Sequence, residues 1–242
     1  MIPKRNSSWK NLIWVALVAI AMGYLESAVV IYLRKIYYPG GFAFPLAVLD
    51  KDVLITELFR EVSTLVMLIG IGIIAGRSRS ERFGMFIYAF GWWDLFYYVF
   101  LKLLIGWPDS LLTWDILFML PTIWVGPVLA PCLNSLIMIL LGGLISRYQG
   151  KQKKSGLKPV EWVFLVIGSL ILLCTYMQDY AGYMSRHYSI SEVFFTLPNK
   201  PMLEYATRYV PEHFNWFLFC IGQLIITLPV ILYYLRMKKG NH

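Results

Sequence analysis

The sequence predicts an all-α fold: one polytopic membrane domain over residues 1–242, with six transmembrane helices and an interfacial or re-entrant segment at 111–127. Three observations predict it. The chain is 58% hydrophobic and only 15% charged, with a mean hydropathy of +0.61. Its apolar runs reach about 20 residues, enough to cross a hydrocarbon core of about 30 Å. Its Lys and Arg residues collect in alternate connections, while every acidic residue except Glu81 and Glu161 falls on the opposite side.

The spans follow in order. Residues 12–33 have the basic start and apolar run of a signal peptide. They are too long for one, contain Glu26 and lack a small-residue cleavage site, so they read as a retained span. Residues 34–52 form a Gly/Pro-interrupted aromatic loop able to cover a cavity. The second span, 53–75, opens with Glu57, Arg60 and Glu61 and carries Gly72 and Gly76, a small-xxx-small pair suited to close helix packing. The third, 84–105, holds Asp94 near its middle. Residues 111–147 are too long for one straight crossing and contain Pro121, Pro127 and Pro131, which disfavour continuous helix. The fourth span is therefore 128–147. The preceding 111–127, with Trp114, Asp115 and Trp124, is expected to be a helix lying in, or dipping into, the outer leaflet. Its irregular backbone is tolerable there only if protein or a water-filled cavity satisfies it. The fifth span is 161–180, ending at Asp179. The outer loop 181–212 carries a short surface helix over Pro201–Val210, with Met202, Ala206, Tyr209 and Val210 on its apolar face. The sixth span is 213–235.

Orientation follows from the positive charges. Lys4, Arg5 and Lys10 precede the first span, Arg77, Arg79 and Arg82 fill the second connection, and Arg147, Lys151, Lys153, Lys154 and Lys158 fill the fourth. Arg236, Lys238 and Lys239 close the chain. With six crossings all lie on one side, which puts both termini in the cytoplasm of a plasma (inner) membrane protein. The net charge of +8 thus reflects topology and contact with anionic lipid, and no nucleic-acid motif accompanies it. Cys132, Cys174 and Cys220 are widely spaced within spans and suggest neither disulfides nor a cysteine metal site.

Charges at membrane depth are costly and mark functional sites. Glu26 lies roughly 10 Å below the outer end of its span at 1.5 Å per residue. Glu57, Arg60 and Glu61 share one helix face, because neighbours three and four apart meet. Asp94, Tyr98 and Lys102 form a column on the third span, and Asp115 sits in the outer-leaflet segment. The expected binding set is therefore Glu26, Glu57, Arg60, Glu61, Asp94, Tyr98, Lys102 and Asp115, with Trp92 and Trp93 able to wall a pocket around Asp94. Structural ion pairing, as Glu26 with Arg60 or Asp94 with Lys102, is the plain alternative.

A metal would have to draw on Glu26, Glu57, Glu61 and His213, a set suited to iron, manganese or zinc, but no Glu-x-x-His or His-Glu-x-x-His motif is present. Bis-histidine haem lacks facing histidines, since His187 and His213 lie in the loop and at the rim. Hydrolase chemistry lacks a base beside a nucleophile. No cofactor is specified by the sequence.

The strings Gly-Tyr-Leu-Glu-Ser-Ala-Val-Val-Ile-Tyr-Leu-Arg (23–34), Trp-Asp-Leu-Phe-Tyr-Tyr (93–98), Trp-Asp-Ile-Leu-Phe (114–118) and Pro-Val-Leu-Ala-Pro (127–131) resemble a family of uncharacterised prokaryotic six-span integral membrane proteins. The resemblance covers most of the chain and implies no activity. Three functions fit the residues. One is an outward-facing charged cavity binding a cation or small solute, with the carboxylates able to couple a proton. The second is an outer-leaflet enzyme on a lipid-type substrate, with Asp94 or Glu61 as general acid/base. The third is a non-catalytic subunit whose partner is another membrane subunit. No repeat relates spans 1–3 to spans 4–6, which counts against alternating access.

Overall fold

A computed structural model of the chain describes residues 8–149 and 155–239. Of the basic residues used for orientation, Lys4, Arg5, Lys151, Lys153 and Lys154 lie outside the described residues. The long helices are α1 (Ser8–Tyr37), α2 (Lys51–Ala75), α3 (Arg79–Ile105), α4 (Leu129–Tyr148), α5 (Pro159–Met184) and α8 (Trp216–Lys239), with short helices α6 (Ile190–Phe195) and α7 (Lys200–Ala206) between the last two. Five of them, α1, α2, α4, α5 and α8, are long and apolar enough to cross a membrane. The chain is therefore a multi-pass helical membrane protein. Helices α1 and α5 overrun their expected limits at both ends, α2 and α3 at the start and α4 and α8 at the end, because polar and aromatic residues there continue the helix beyond the apolar run. Helix α8, by contrast, starts three residues later than expected.

Helix α3 is the organiser. It packs against α1, α2 and α4, while α5 and α8 pair with each other, α8 meeting α4 and α5 meeting the segment that precedes α4. Small residues set these approaches, since helices in lipid associate by close packing. A Cβ on Gly142 would stand 2.3 Å from the Gly84 carbonyl oxygen, and one on Gly72 would stand 2.7 Å from that of Arg82. The Gly72/Gly76 pair thus lies at the α2–α3 contact, with Gly76 as the α2 C-cap.

The short connection into α3 is fixed by its cap. Ser78 accepts from the Glu81 backbone N–H and from the Gln149 side-chain amide at the end of α4. Ser78→Ala is expected to cost about 1 kcal/mol, read as a lowered midpoint in detergent-solubilised unfolding; an unchanged midpoint would show that the cap is redundant. At the same end Arg236 of α8 holds the buried Glu161 of α5 at 2.9 Å, and Tyr233 donates to the Ser155 carbonyl.

The segment 111–127 departs from expectation. Instead of a helix it forms an antiparallel hairpin, β1 (Trp114–Phe118) with β2 (Trp124–Pro127), pairing Trp114 with Pro127 and Asp115 with Gly126. The prolines that bar a helix leave two runs of aromatic and branched residues on either side of Pro121, and such runs satisfy their backbone groups by pairing with each other. The hairpin is anchored where Val128 N–H donates to the Thr113 carbonyl and Leu129 N–H to that of Leu111. Its second strand packs on α5, with Gly126 beneath Phe214 and Tyr176.

In the 181–212 loop, α7 begins at Lys200, one residue before the expected Pro201, and ends at Ala206, short of the expected Val210. Met202, Ala206 and Tyr209 are buried against Tyr180 and Met184 of α5. The preceding α6, closed by a Ser189–Glu192 capping box, was not anticipated. Phe44 from the loop after α1 meets Tyr209 edge-on, so that loop and α7 form one cover.

Candidate binding site

Beneath this cover lies a cavity of about 180 Å³ between α1, α2, α3 and strand β1. It occupies the end of the bundle where α1 finishes and α2 begins, opposite the basic cluster at Arg77, Arg79 and Arg82. Glu26, Glu57, Glu61, Asp94 and Asp115 line it, with Arg34 and Arg60 as the cations. Its upper walls are apolar, from Leu46 and Val48 of the loop, Leu54 of α2 and Leu203 of α7.

The charges are organised by helix spacing. On α2 the i,i+3 and i,i+4 relation brings Glu57, Arg60 and Glu61 together. Arg60 donates from Nε to Glu57 at 2.7 Å and from Nη1 to Glu26 on α1. The expected Glu26–Arg60 pair therefore exists, but as part of a three-residue network. Thr64, one turn further along α2, also reaches Glu26. Glu61 takes no part in that pairing. Both its oxygens accept the Met119 backbone N–H at 3.0 Å, fastening α2 to the end of β1.

Asp94 accepts from the fully buried Ser135 of α4 at 2.6 Å. It does not pair with Lys102, whose ammonium donates to the Gly106 and Pro108 carbonyls beyond the end of α3. Lys102 therefore lies outside the cavity as a helix C-cap, because the αL turn at Gly106 presents carbonyls within its reach. Tyr98 lines the cavity, as does Trp93, whereas Trp92 does not. His213 is exposed in the loop three residues before α8 and does not line the cavity. Among the described residues no group of three or more His, Cys, Asp or Glu side chains is arranged to hold a metal. The guanidinium of Arg60 occupies the position between Glu26 and Glu57 that a bound cation would need.

Asp115 is joined by Arg34 at 2.9 Å, and both are buried. The Arg34 guanidinium stacks 3.7 Å from the Trp107 ring centroid and 4.4 Å from that of Phe42. Arg34 was not among the expected site residues, yet its spacing from Glu26 of two i+4 steps through Val30 places all three on one face, and all three line the cavity. The same rule finds Tyr97, three residues after Asp94. No sequence signal points to the Met119 amide, a backbone group whose position depends on the hairpin. At the rim, burial pushes the Tyr38 phenol above its ordinary range, against the pull of the Ala47 amide and Arg34. It stays neutral and accepts the Ala47 N–H at 2.7 Å.

Fold and site together define a multi-pass helical membrane protein with a covered, charge-lined cavity at one end of its bundle. No family model matches the chain, and neither a curated protein nor a solved structure does, so the site is interpreted from its own chemistry.

Proposed function

We propose that the chain crosses the plasma membrane six times, α3 crossing in addition to the five apolar helices, with both termini cytoplasmic and the cavity facing the outside. In this reading the cavity binds a small organic cation, its charged end held by the carboxylates and its apolar part against the cover. The carrying observation is the charge balance of the lining, five carboxylates against two guanidiniums. Arg60 and Arg34 pair with Glu57, Glu26 and Asp115, and Glu61, bonded only to a backbone amide, has no cation paired with it and can receive the ligand's charged end. An ammonium close to a carboxylate in such a site gains a strong charge-assisted hydrogen bond. The carboxylates can also exchange a proton for the ligand.

Isothermal titration of the purified protein in nanodiscs with 3-methylbutylamine tests the reading. Binding is expected, with Glu61→Gln weakening it by about tenfold, equivalent to about 1.4 kcal/mol, and no binding of 4-methylpentanoate. Equal affinity for the amine and the carboxylate, or an unchanged affinity in Glu61→Gln, would sink it. The apolar walls favour a second reading, an enzyme on a lipid-type substrate with Asp94 or Glu61 as general acid/base. That reading requires Asp94→Asn to abolish turnover while the protein folds normally.

A further inference from the structure

The Arg34–Asp115 contact is half made. Arginine and carboxylate side chains commonly meet as a fork with two parallel hydrogen bonds, but here only Nη2 to Oδ1 is formed. Arg34 Nη1 and Asp115 Oδ2 are buried and make no hydrogen bond of normal geometry, the Tyr98 phenol and the Ile116 amide being the other donors that face Asp115. The two side chains are only 9% and 2% exposed. A buried donor or acceptor left open is destabilising until a partner fills it. This pair therefore carries an unfilled donor and an unfilled acceptor within two residues that line the cavity, and Arg34 also borders a neighbouring groove beside Trp107.

The backbone beside the pair belongs to the same picture. Asp115, Ile116, Leu117, Phe118 and Met119 all line the cavity. Side chains alternate faces along a strand, so five consecutive lining residues mean that the cavity runs along the strand itself rather than along one of its faces. A ligand lying there meets peptide groups and apolar side chains together. The trapped Trp93 indole N–H, also without a partner, adds another donor at the lining.

We infer that the Arg34–Asp115 pair is a recognition site for a neutral carboxamide, and that the solute taken by the cavity is peptide-like: an apolar chain bearing an ammonium and an amide. The amide oxygen accepts from Arg34 Nη1 and its N–H donates to Asp115 Oδ2. An ionised carboxylate satisfies the guanidinium but meets Asp115 with like charge, and a plain amine leaves Nη1 open. The ammonium half of the inference rests on the proposed cation site, whereas the amide half stands on Arg34 and Asp115 alone.

Three probes that share one isobutyl side chain separate the two halves in nanodisc titrations: L-leucinamide, 3-methylbutylamine without the amide, and 4-methylpentanamide without the amine. Leucinamide is expected to bind at least tenfold more tightly than 3-methylbutylamine. That ratio should fall to about one in both Arg34→Lys and Asp115→Asn and stay near ten in Glu61→Gln. Unfolding midpoints identify any variant that fails to fold, and the wild-type ratio and the amide-only probe decide the matter without it. A wild-type ratio near one overturns the inference, as does a ratio that survives in both variants. If 3-methylbutylamine does not bind but 4-methylpentanamide does, and Arg34→Lys abolishes it, the cation reading falls and the amide site stands. If none of the three binds, both fall.

Discussion

Arg60→Met is expected to lower stability by about 3 kcal/mol, the low end of the range for removing one partner of a buried ion pair. The low end applies because the Arg60 side chain keeps 21% exposure. The substitution leaves Glu26 and Glu57 facing one another with no cation between them, and an unpaired carboxylate at membrane depth is costly. Combining it with Glu26→Gln and Glu57→Gln should restore most of the loss, because two neutral amides need no counter-charge. Unfolding of the four-way set in mixed micelles measures this. If Arg60→Met alone unfolds at the wild-type midpoint, the network does not hold α1 to α2 and its charges serve only the ligand.

The second large effect is expected at the α3–α4 crossing. Gly142→Ala places a methyl 2.3 Å from the Gly84 carbonyl oxygen and 2.7 Å from Cβ of Tyr88. Both neighbours are backbone or backbone-proximal, so the helices must move apart, at a cost of about 2 kcal/mol or more. The separation also strains the Asp94–Ser135 hydrogen bond across the same interface. Gly143→Ala is the control. Its methyl meets only the Tyr88 ring, at 3.7 Å or more, and the higher helix propensity of alanine makes it neutral or stabilising by up to about 1 kcal/mol. Equal melting of the two variants would show that close approach at Gly142 is not required for packing.

How much of this was legible in the chain depends on the distance over which each feature is encoded. The long helices were read from apolar runs, because burial in lipid is decided by side chains within one segment. The Glu57–Arg60–Glu61 cluster and its Glu26 partner were also found, since i,i+3 and i,i+4 spacing is local and a buried carboxylate needs a cation near it. Lys102 was placed wrongly in the site by the same spacing rule. It falls on the Asp94 face, but the turn at Gly106 offers it nearer carbonyls, an outcome set by chain geometry beyond the helix.

The sequence by itself determined that this is an apolar, many-helix membrane chain with acids gathered toward one end, because composition and periodicity act residue by residue. Only the tertiary structure decided that 111–127 is a hairpin, that its strand runs along the cavity, and that Glu61 holds the Met119 amide. Those outcomes depend on backbone groups finding partners across 58 residues of chain. The open half of the Arg34–Asp115 fork belongs to the same class. Its partners are 81 residues apart, and whether a hydrogen bond is made or left open is fixed by the angle at which two elements meet, which no local pattern encodes.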